Sequence, residues 1–341
     1  MSEAEAPPIA PWLERQRTQL LAQRGHAWLL QGPSGLGQYT LGLELVRAWL
    51  CDTPAEGGAA CGHCASCHAI EVRTHADLCV LMPETAMVEL GWPISEKAQQ
   101  EIDDKKRKPS KEIRVEAMRD AVEFAQRTSA RGRGKAVLVY PAERMNAVTA
   151  NALLKTLEEP PGDVRFVLAS ESAHLLLPTI RSRCLGHTMA WPDAAQAEAW
   201  LQARGLAAGD AHVLLRAAGG RPDDALRLAA AGMDPKRWSL LPKAVARGEV
   251  AALADWTPAQ AVDALQKICH DQLALKAGAA PMFFEPADLL SGGTGGGSIG
   301  GLTRWAKALG ESARTAEHPF NAGLMLEALV SQARNVLNSR A

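Results

Sequence analysis

Four cysteines, Cys51, Cys61, Cys64 and Cys67, stand within 17 residues of one another, while Cys79, Cys184 and Cys269 are scattered. The spacing C-x9-C-x2-C-x2-C supplies four thiolates, enough to fill every position around a tetrahedral zinc ion. No position is left for water or substrate, so the role would be structural. A C-x2-C-x2-C run also occurs at iron–sulfur clusters, but the C-P that closes such runs is absent here. Seven cysteines is an odd number, and their clustering in a chain expected to be cytoplasmic points to metal rather than disulfides. His63 and His68 are expected beside the ligands or exposed, and the three scattered cysteines read as small buried side chains.

A second segment could bind phosphate. Gly32-Pro33-Ser34-Gly35-Leu36-Gly37-Gln38-Tyr39 follows a strand candidate and opens a helix candidate. That is the setting of the loop G-x-x-x-x-G-K-[ST], whose backbone N–H groups cradle phosphates. Gly32 and Gly37 fit the pattern. Gln38 replaces the lysine that neutralises the β- and γ-phosphates, and Tyr39 replaces the small hydroxyl that holds Mg²⁺. By itself the loop is either a phosphate loop that has lost its chemistry or a glycine-rich turn. The strand candidate 136–139 favours the first reading: it runs into Tyr140-Pro141, where an active ATPase carries a metal-binding carboxylate. Glu143, farther on, reads as a solvated loop residue. No functional ATP site is expected, and the two tyrosines of the chain, Tyr39 and Tyr140, mark the two losses.

The elements that must position these residues follow from periodicity. A helix is expected over 12–25, ended by Gly25, then a strand at 27–30 and a helix over 40–50 with leucines at helical spacing. Apolar runs at 78–82, 136–140 and 164–170 read as further strands, and 115–126 and 149–159 as helices, the latter stopped by Pro160-Pro161-Gly162. Strands alternating with helices define an α/β domain with a mainly parallel sheet. Beyond Cys184 the chain is Ala- and Leu-rich and helical, with helices expected over 194–205 and 211–230 and a further helical domain from 235. Residues 291–301 hold seven glycines, which favours a flexible loop.

Composition excludes several classes. With 341 residues the chain is long enough for two or three domains. The 37 Lys and Arg against 38 Asp and Glu exclude a polybasic nucleic-acid binder. Residues 102–135 carry eleven Lys/Arg and six Asp/Glu, either a solvated face or a place for DNA phosphates. No secretory signal and no run of about 18–20 apolar residues is present, so no membrane contact is expected.

The segments Asn151-Ala152-Leu153-Leu154-Lys155-Thr156-Leu157-Glu158-Glu159-Pro160-Pro161, Arg165-Phe166-Val167-Leu168-Ala169-Ser170 and Ser182-Arg183-Cys184 closely resemble bacterial clamp-loader subunits, AAA+ proteins that open the sliding clamp of DNA polymerase III. The altered phosphate loop resembles members that do not hydrolyse ATP rather than the gamma/tau subunit. The resemblance is strong over about 24–184, and 322–329 is similar to the collar helices of these subunits.

The resemblance implies three parts: an AAA+ domain over 1–187 with a zinc module at 51–67, a helical lid over 188–233 and a collar over 234–341. It also implies that the cysteines hold structural zinc, since similar modules follow the phosphate-loop helix in this family. Arg183 would be a finger presented in trans to ATP on a neighbouring subunit; the alternative is a pairing with a carboxylate at the end of the α/β domain. Ser170 falls near a γ-phosphate sensor but reads as a strand-end cap, and Asp223 stands where a second sensor arginine would be, with Arg221 two residues early. The implied partners are the gamma/tau and delta subunits, with the clamp and primer–template DNA reached through the complex. The chain itself would have no ATPase activity, although it would belong to a nucleotidyltransferase assembly. The rival readings are an active gamma-type ATPase and a zinc-dependent nucleic-acid-binding regulator.

Overall fold

The computed structural model describes residues 9–290, 296–316, 318 and 321–339. The chain separates into two compact units, Met1–Pro192 and Asp193–Ala341.

The first unit is built on five parallel strands, β1 (Ala27–Gln31), β2 (Leu78–Leu81), β3 (Lys135–Val139), β4 (Val164–Ser170) and β5 (Leu185–Thr188), in the order β2-β3-β4-β1-β5. Its helices are α1 (Pro11–Leu21), α2 (Gln38–Leu50), α3 (Ala65–Glu71), α4 (Glu84–Glu89), α5 (Glu96–Asp103), α6 (Val115–Gln126), α7 (Ala147–Glu158) and α8 (Pro178–Arg181). The central strands β3 and β4 are buried almost throughout, as near-continuous apolar strands covered on both faces must be. Leu29, Val137, Val139, Phe166 and Leu168 share a core with Met118, Ala121, Leu153 and Leu157 of α6 and α7. α2 lies against β3 and β4 so closely that a Cβ on Gly42 would stand 2.8 Å from Leu138 Cδ1 and 3.2 Å from Val167 Cγ1. Overpacking there costs about 1–3 kcal/mol, against about 1 kcal/mol of helix propensity regained. Gly42→Ala is therefore expected to lower stability in a urea titration, by about 1 kcal/mol net.

Three expectations change. The first helix ends at Leu21, with Ala22 as its C-cap. Gly25 does not terminate it but makes room for β5, since a Cβ there would meet Leu185 Cδ1 at 2.5 Å. The single helix expected over 211–230 is two, α10 (Ala208–Ala217) and α11 (Pro222–Ala230), parted at Gly219 and Gly220, both at positive φ. The strand β5 has no counterpart in the apolar runs, because Gly186, His187 and Thr188 give no such signal and its place comes from pairing with β1.

The second unit is helical among its described residues: α9 (Ala194–Gln202), α10 (Ala208–Ala217), α11 (Pro222–Ala230), α12 (Pro235–Arg247), α13 (Pro258–Lys276), α14 (Ile299–Thr315) and α15 (Ala322–Leu337). Ala197, Leu201, Leu214, Leu215 and Ala225 form one small core from α9, α10 and α11. Trp238, Leu265, Ile268, Trp305, Leu309 and Val330 anchor a larger one from α12 to α15. Of the glycine-rich stretch, 291–295 lie outside the described residues; Ser298 caps α14 through the Gly301 N–H, so 299–301 are helix rather than loop.

His212 on α10 bridges Glu198 of α9 at 2.8 Å and Glu285 at 2.9 Å. Hydrogen bonds to Glu198 and then Glu285 raise its pKa above the ordinary imidazole value. A group with a raised folded pKa stabilises fully below the unfolded value, and that contribution is lost as pH rises through the folded value. His212→Gln is therefore expected to lower Tm more at mildly acidic than at alkaline pH, as thermal melts across that range would register.

Candidate functional site

The parallel register brings the carboxyl ends of β1, β3 and β4 to one edge of the sheet: Gln31 pairs Ser170 and Val139 pairs Leu168. In open α/β sheets this is the edge that receives ligands. Gly32 leaves β1 there, with its N–H on the Ser170 carbonyl at 3.3 Å. Gly37 closes the turn at φ +89° as the N-cap of α2, a conformation that favours glycine.

Within the loop the side chain of Gln38 turns inward, 2 % exposed. Its amide Nε2 donates to the carbonyls of Gly32 at 3.0 Å and Pro33 at 2.6 Å. The Tyr39 and Tyr140 rings lie against each other, centroids 5.3 Å apart. The Tyr39 hydroxyl accepts a hydrogen bond from Trp92 Nε1 at 2.7 Å, and burial pushes its phenol pKa up. The Tyr140 hydroxyl donates to Glu171 Oε1 at 2.8 Å, and Pro141 follows it through a cis peptide. Sequence reasoning missed Trp92, which lies 53 residues from Tyr39 and signals its role by no local pattern.

Glu143 is not the solvated loop residue expected. Its carboxylate accepts the Ser170 hydroxyl at 2.7 Å and the Glu171 N–H at 3.2 Å, because the turn after β3 folds back over the end of β4. Ser170 is fully buried and its Oγ also accepts the Ser172 N–H, a strand-end capping geometry. Arg183 follows α8 and pairs with Glu158 through Nε at 2.6 Å and through Nη2, while Nη1 donates to the Thr179 carbonyl at 2.8 Å. In the second unit Arg221 N-caps α11 and pairs with Asp224 at 3.2 Å.

The four clustered cysteines converge. Cys51 ends α2, Cys64 caps α3 and Cys67 lies in its first turn. From Cys51 Sγ the sulfurs of Cys61, Cys64 and Cys67 are 3.5, 3.7 and 3.7 Å away, and Cys61 and Cys67 are 4.0 Å apart. A tetrahedron with metal–sulfur bonds of about 2.3 Å has edges of about 3.8 Å. The N–H groups of Cys61, Cys64 and Cys67 point at the sulfurs of Cys51, Cys61 and Cys64 at 3.3, 3.4 and 3.4 Å. The Thr53 hydroxyl, hydrogen-bonded to Cys61 Sγ, leads in lowering that thiol to about 5. Spacing, donor chemistry and N–H groups aimed at sulfur all fit a metal ion, which Cys51, Cys61, Cys64 and Cys67 could hold. His63 and His68 are exposed; the His63 ring donates to the Cys61 carbonyl rather than facing the sulfurs. Burial pushes the Cys79, Cys184 and Cys269 thiols up to about 11, 12 and 11.

A polar relay absent from the sequence reading ties this cluster to the sheet. The Asp77 N–H donates to His75 Nδ1, His75 Nε2 to Ser66 Oγ, and Ser66 Oγ to Asp52 Oδ1. The Ser66 hydroxyl, then Arg131, hold the Asp52 carboxyl well below its usual range. Asp77, fully buried, accepts from Ser129 Oγ and from the N–H groups of Ala130 and Arg131. A buried carboxylate with this many donors fixes the loop before β3 against the start of β2.

Much of the positive charge over 102–135 is taken up internally. Arg107 pairs with Glu84 and Glu101, Arg114 with Glu84, Lys106 with Asp104, Arg127 with Glu123, Arg131 with Asp52 and Lys135 with Asp77. This favours the solvated-face reading over a DNA surface.

A five-stranded parallel α/β unit with a glycine-rich turn after β1 and a four-cysteine module after the next helix defines a class, and comparison with known proteins supplies its family. The sequence profile described as DNA polymerase III, delta subunit matches residues 14–191, and the chain belongs to that family. Within it, similarity runs to delta'. The DNA polymerase III subunit delta' of Pseudomonas aeruginosa is 40% identical over 234 residues, 67% of this chain and 64% of that relative. The subunit delta' of Escherichia coli K12 is 35% identical over 224 residues, 64% of this chain and 60% of that protein. A DNA polymerase III subunit tau, of Salmonella typhimurium, is 34% identical over 160 residues, 47% of this chain and 21% of its own length. The matched region thus spans about six-tenths of the length of the delta' relatives. No helix among the described residues is long and apolar enough to cross a membrane.

Proposed function

We propose that this chain is a non-hydrolysing delta'-type subunit of a clamp loader, supporting ATP-dependent loading of the sliding clamp on primed DNA without turning over ATP itself. The observation that carries the reading is the Gln38 amide bonded to the Gly32 and Pro33 carbonyls. A neutral group occupies the position from which an ammonium would meet the β- and γ-phosphates, and Tyr39 offers no small hydroxyl to Mg²⁺. The Tyr39–Tyr140 contact fills the adjoining strand end with rings where a metal-binding carboxylate would stand.

On this reading residues 1–187 form the AAA+ domain, 188–233 a lid and 234–341 a collar for assembly, which the two separate cores of the second unit support. The cysteines hold structural zinc, which closes the module when bound, and Arg183 is the finger offered to a neighbouring ATP site. The partners are the gamma/tau and delta subunits, and clamp and DNA are met through the complex. Co-purification with gamma/tau and delta followed by native mass spectrometry tests the reading. One copy of this chain carrying one zinc and no nucleotide is expected; a chain that stays monomeric, or one that binds and hydrolyses Mg-ATP alone, would overturn it.

A further inference from the structure

The proposed function makes no use of a cleft at the other end of the sheet, before the first residues of β1, β3 and β4. It encloses about 590 Å³, within the range of about 300–1,000 Å³ common for small-molecule sites. Arg24, Arg133 and Arg165 line it together with Trp28, Trp49 and Asp163. Arg24 and Arg133 are exposed, and neither has an ion-pair or hydrogen-bond partner among the described residues. Arg165 is 3.6 Å from Asp163 and lies over the Trp49 ring at 5.5 Å. Trp49 in turn rests on Trp28, centroids 4.8 Å apart. The buried Trp28 indole N–H has no acceptor among the described residues.

Three guanidinium groups against one carboxylate make the cleft a receptor for anions, and the guanidinium fork matches phosphate in a bidentate manner. The aromatic wall adds a second requirement. Planar bases stack on indole rings and on arginine planes, whereas a carboxylate-rich peptide would satisfy the arginines and leave that wall unused. We propose that the cleft binds a nucleotide unit, with its phosphate between Arg24 and Arg133 and its base against the Trp49–Arg165 pair. The unit is either a free nucleotide or one residue of a single-stranded nucleic acid; both present the same phosphate and base.

The test uses the intact chain, its fold checked by circular dichroism, with AMP in calorimetry and a labelled oligodeoxyadenylate in fluorescence anisotropy. Arg24→Gln with Arg133→Gln is expected to weaken binding by about tenfold or more, and for the strand to reduce the slope of log affinity against log salt by about 0.7, the value for one phosphate. Trp49→Leu is expected to weaken binding and leave that slope unchanged. AMP binding assigns the site to free nucleotides, and binding of the strand alone assigns it to single-stranded nucleic acid. The proposal is overturned if neither probe binds, if the arginine variant binds like the parent chain, or if a polyglutamate peptide of equal charge competes equally well.

Discussion

With Arg183 as the proposed finger, ATP turnover at the neighbouring site is expected to fall by about 10³- to 10⁵-fold when Arg183 is replaced by alanine, with the assembly intact. A fixed guanidinium stabilises charge on the transferring phosphoryl group, and that charge is largest in the transition state. The Glu158 pairing does not stand in the way. The two side chains are 30% and 46% exposed, and ion pairs so open to water contribute only about 0–1 kcal/mol. A phosphate oxygen can therefore replace Glu158 on Arg183 at little cost, while the Thr179 carbonyl still steadies the guanidinium through Nη1. Glu158→Gln should leave turnover near the parental rate. The measurement is steady-state hydrolysis by a reconstituted complex in which the other ATP sites are disabled; undiminished turnover with Arg183→Ala would reduce Arg183 to a partner of Glu158.

Removing the zinc proposed for the cysteine module is expected to have the second large effect. Structural zinc in zinc-finger peptides has apparent binding free energies of about 10–16 kcal/mol near neutral pH, and that energy is folding energy. Residues 51–71 hold only short elements, the turn at Glu56–Gly58 and α3, so apart from the Asp52–Ser66–His75 relay little else orders them. Chelation, or Cys64→Ser, is expected to release one zinc per chain and to expose the amides of 51–71 to hydrogen exchange. Through Asp52 and Arg131 the exposure should reach the loop at 129–131, because the relay anchors that loop from both sides. Protection of β3 and β4 should persist, since their core involves none of these residues. Unchanged exchange over 51–71 after complete metal removal would argue against a metal-dependent module.

The local features of the sequence carried most of this. Cysteine spacing brought four sulfurs together without any knowledge of the loop between them, because three of the four lie in one seven-residue run. Alternating apolar runs gave the parallel sheet, but β5 escaped because an edge strand of Gly, His and Thr is recruited by its neighbour rather than by its own composition. What pattern could not supply was pairing across distance. Glu84 meets Arg107 and Arg114, so the basic stretch looked more open than it is. His75, Asp77, Ser129 and Arg131 are unremarkable one by one, and their relay exists only once β2 and β3 are side by side. Trp92 illustrates the same limit: the phenol it meets was marked by its motif, the indole by nothing.

The Gln38 amide has a thermodynamic consequence. A ligand shifts a conformational equilibrium only by the difference in its affinity for the two states. If, as proposed, the loop after β1 with Gln38 turned onto its own carbonyls does not bind ATP, then ATP cannot select among the conformations of this chain. Whatever motion the chain undergoes in a complex would then be imposed through its contacts with neighbours. The neighbours' nucleotide cycles would work against a surface whose energy landscape stays the same before and after hydrolysis.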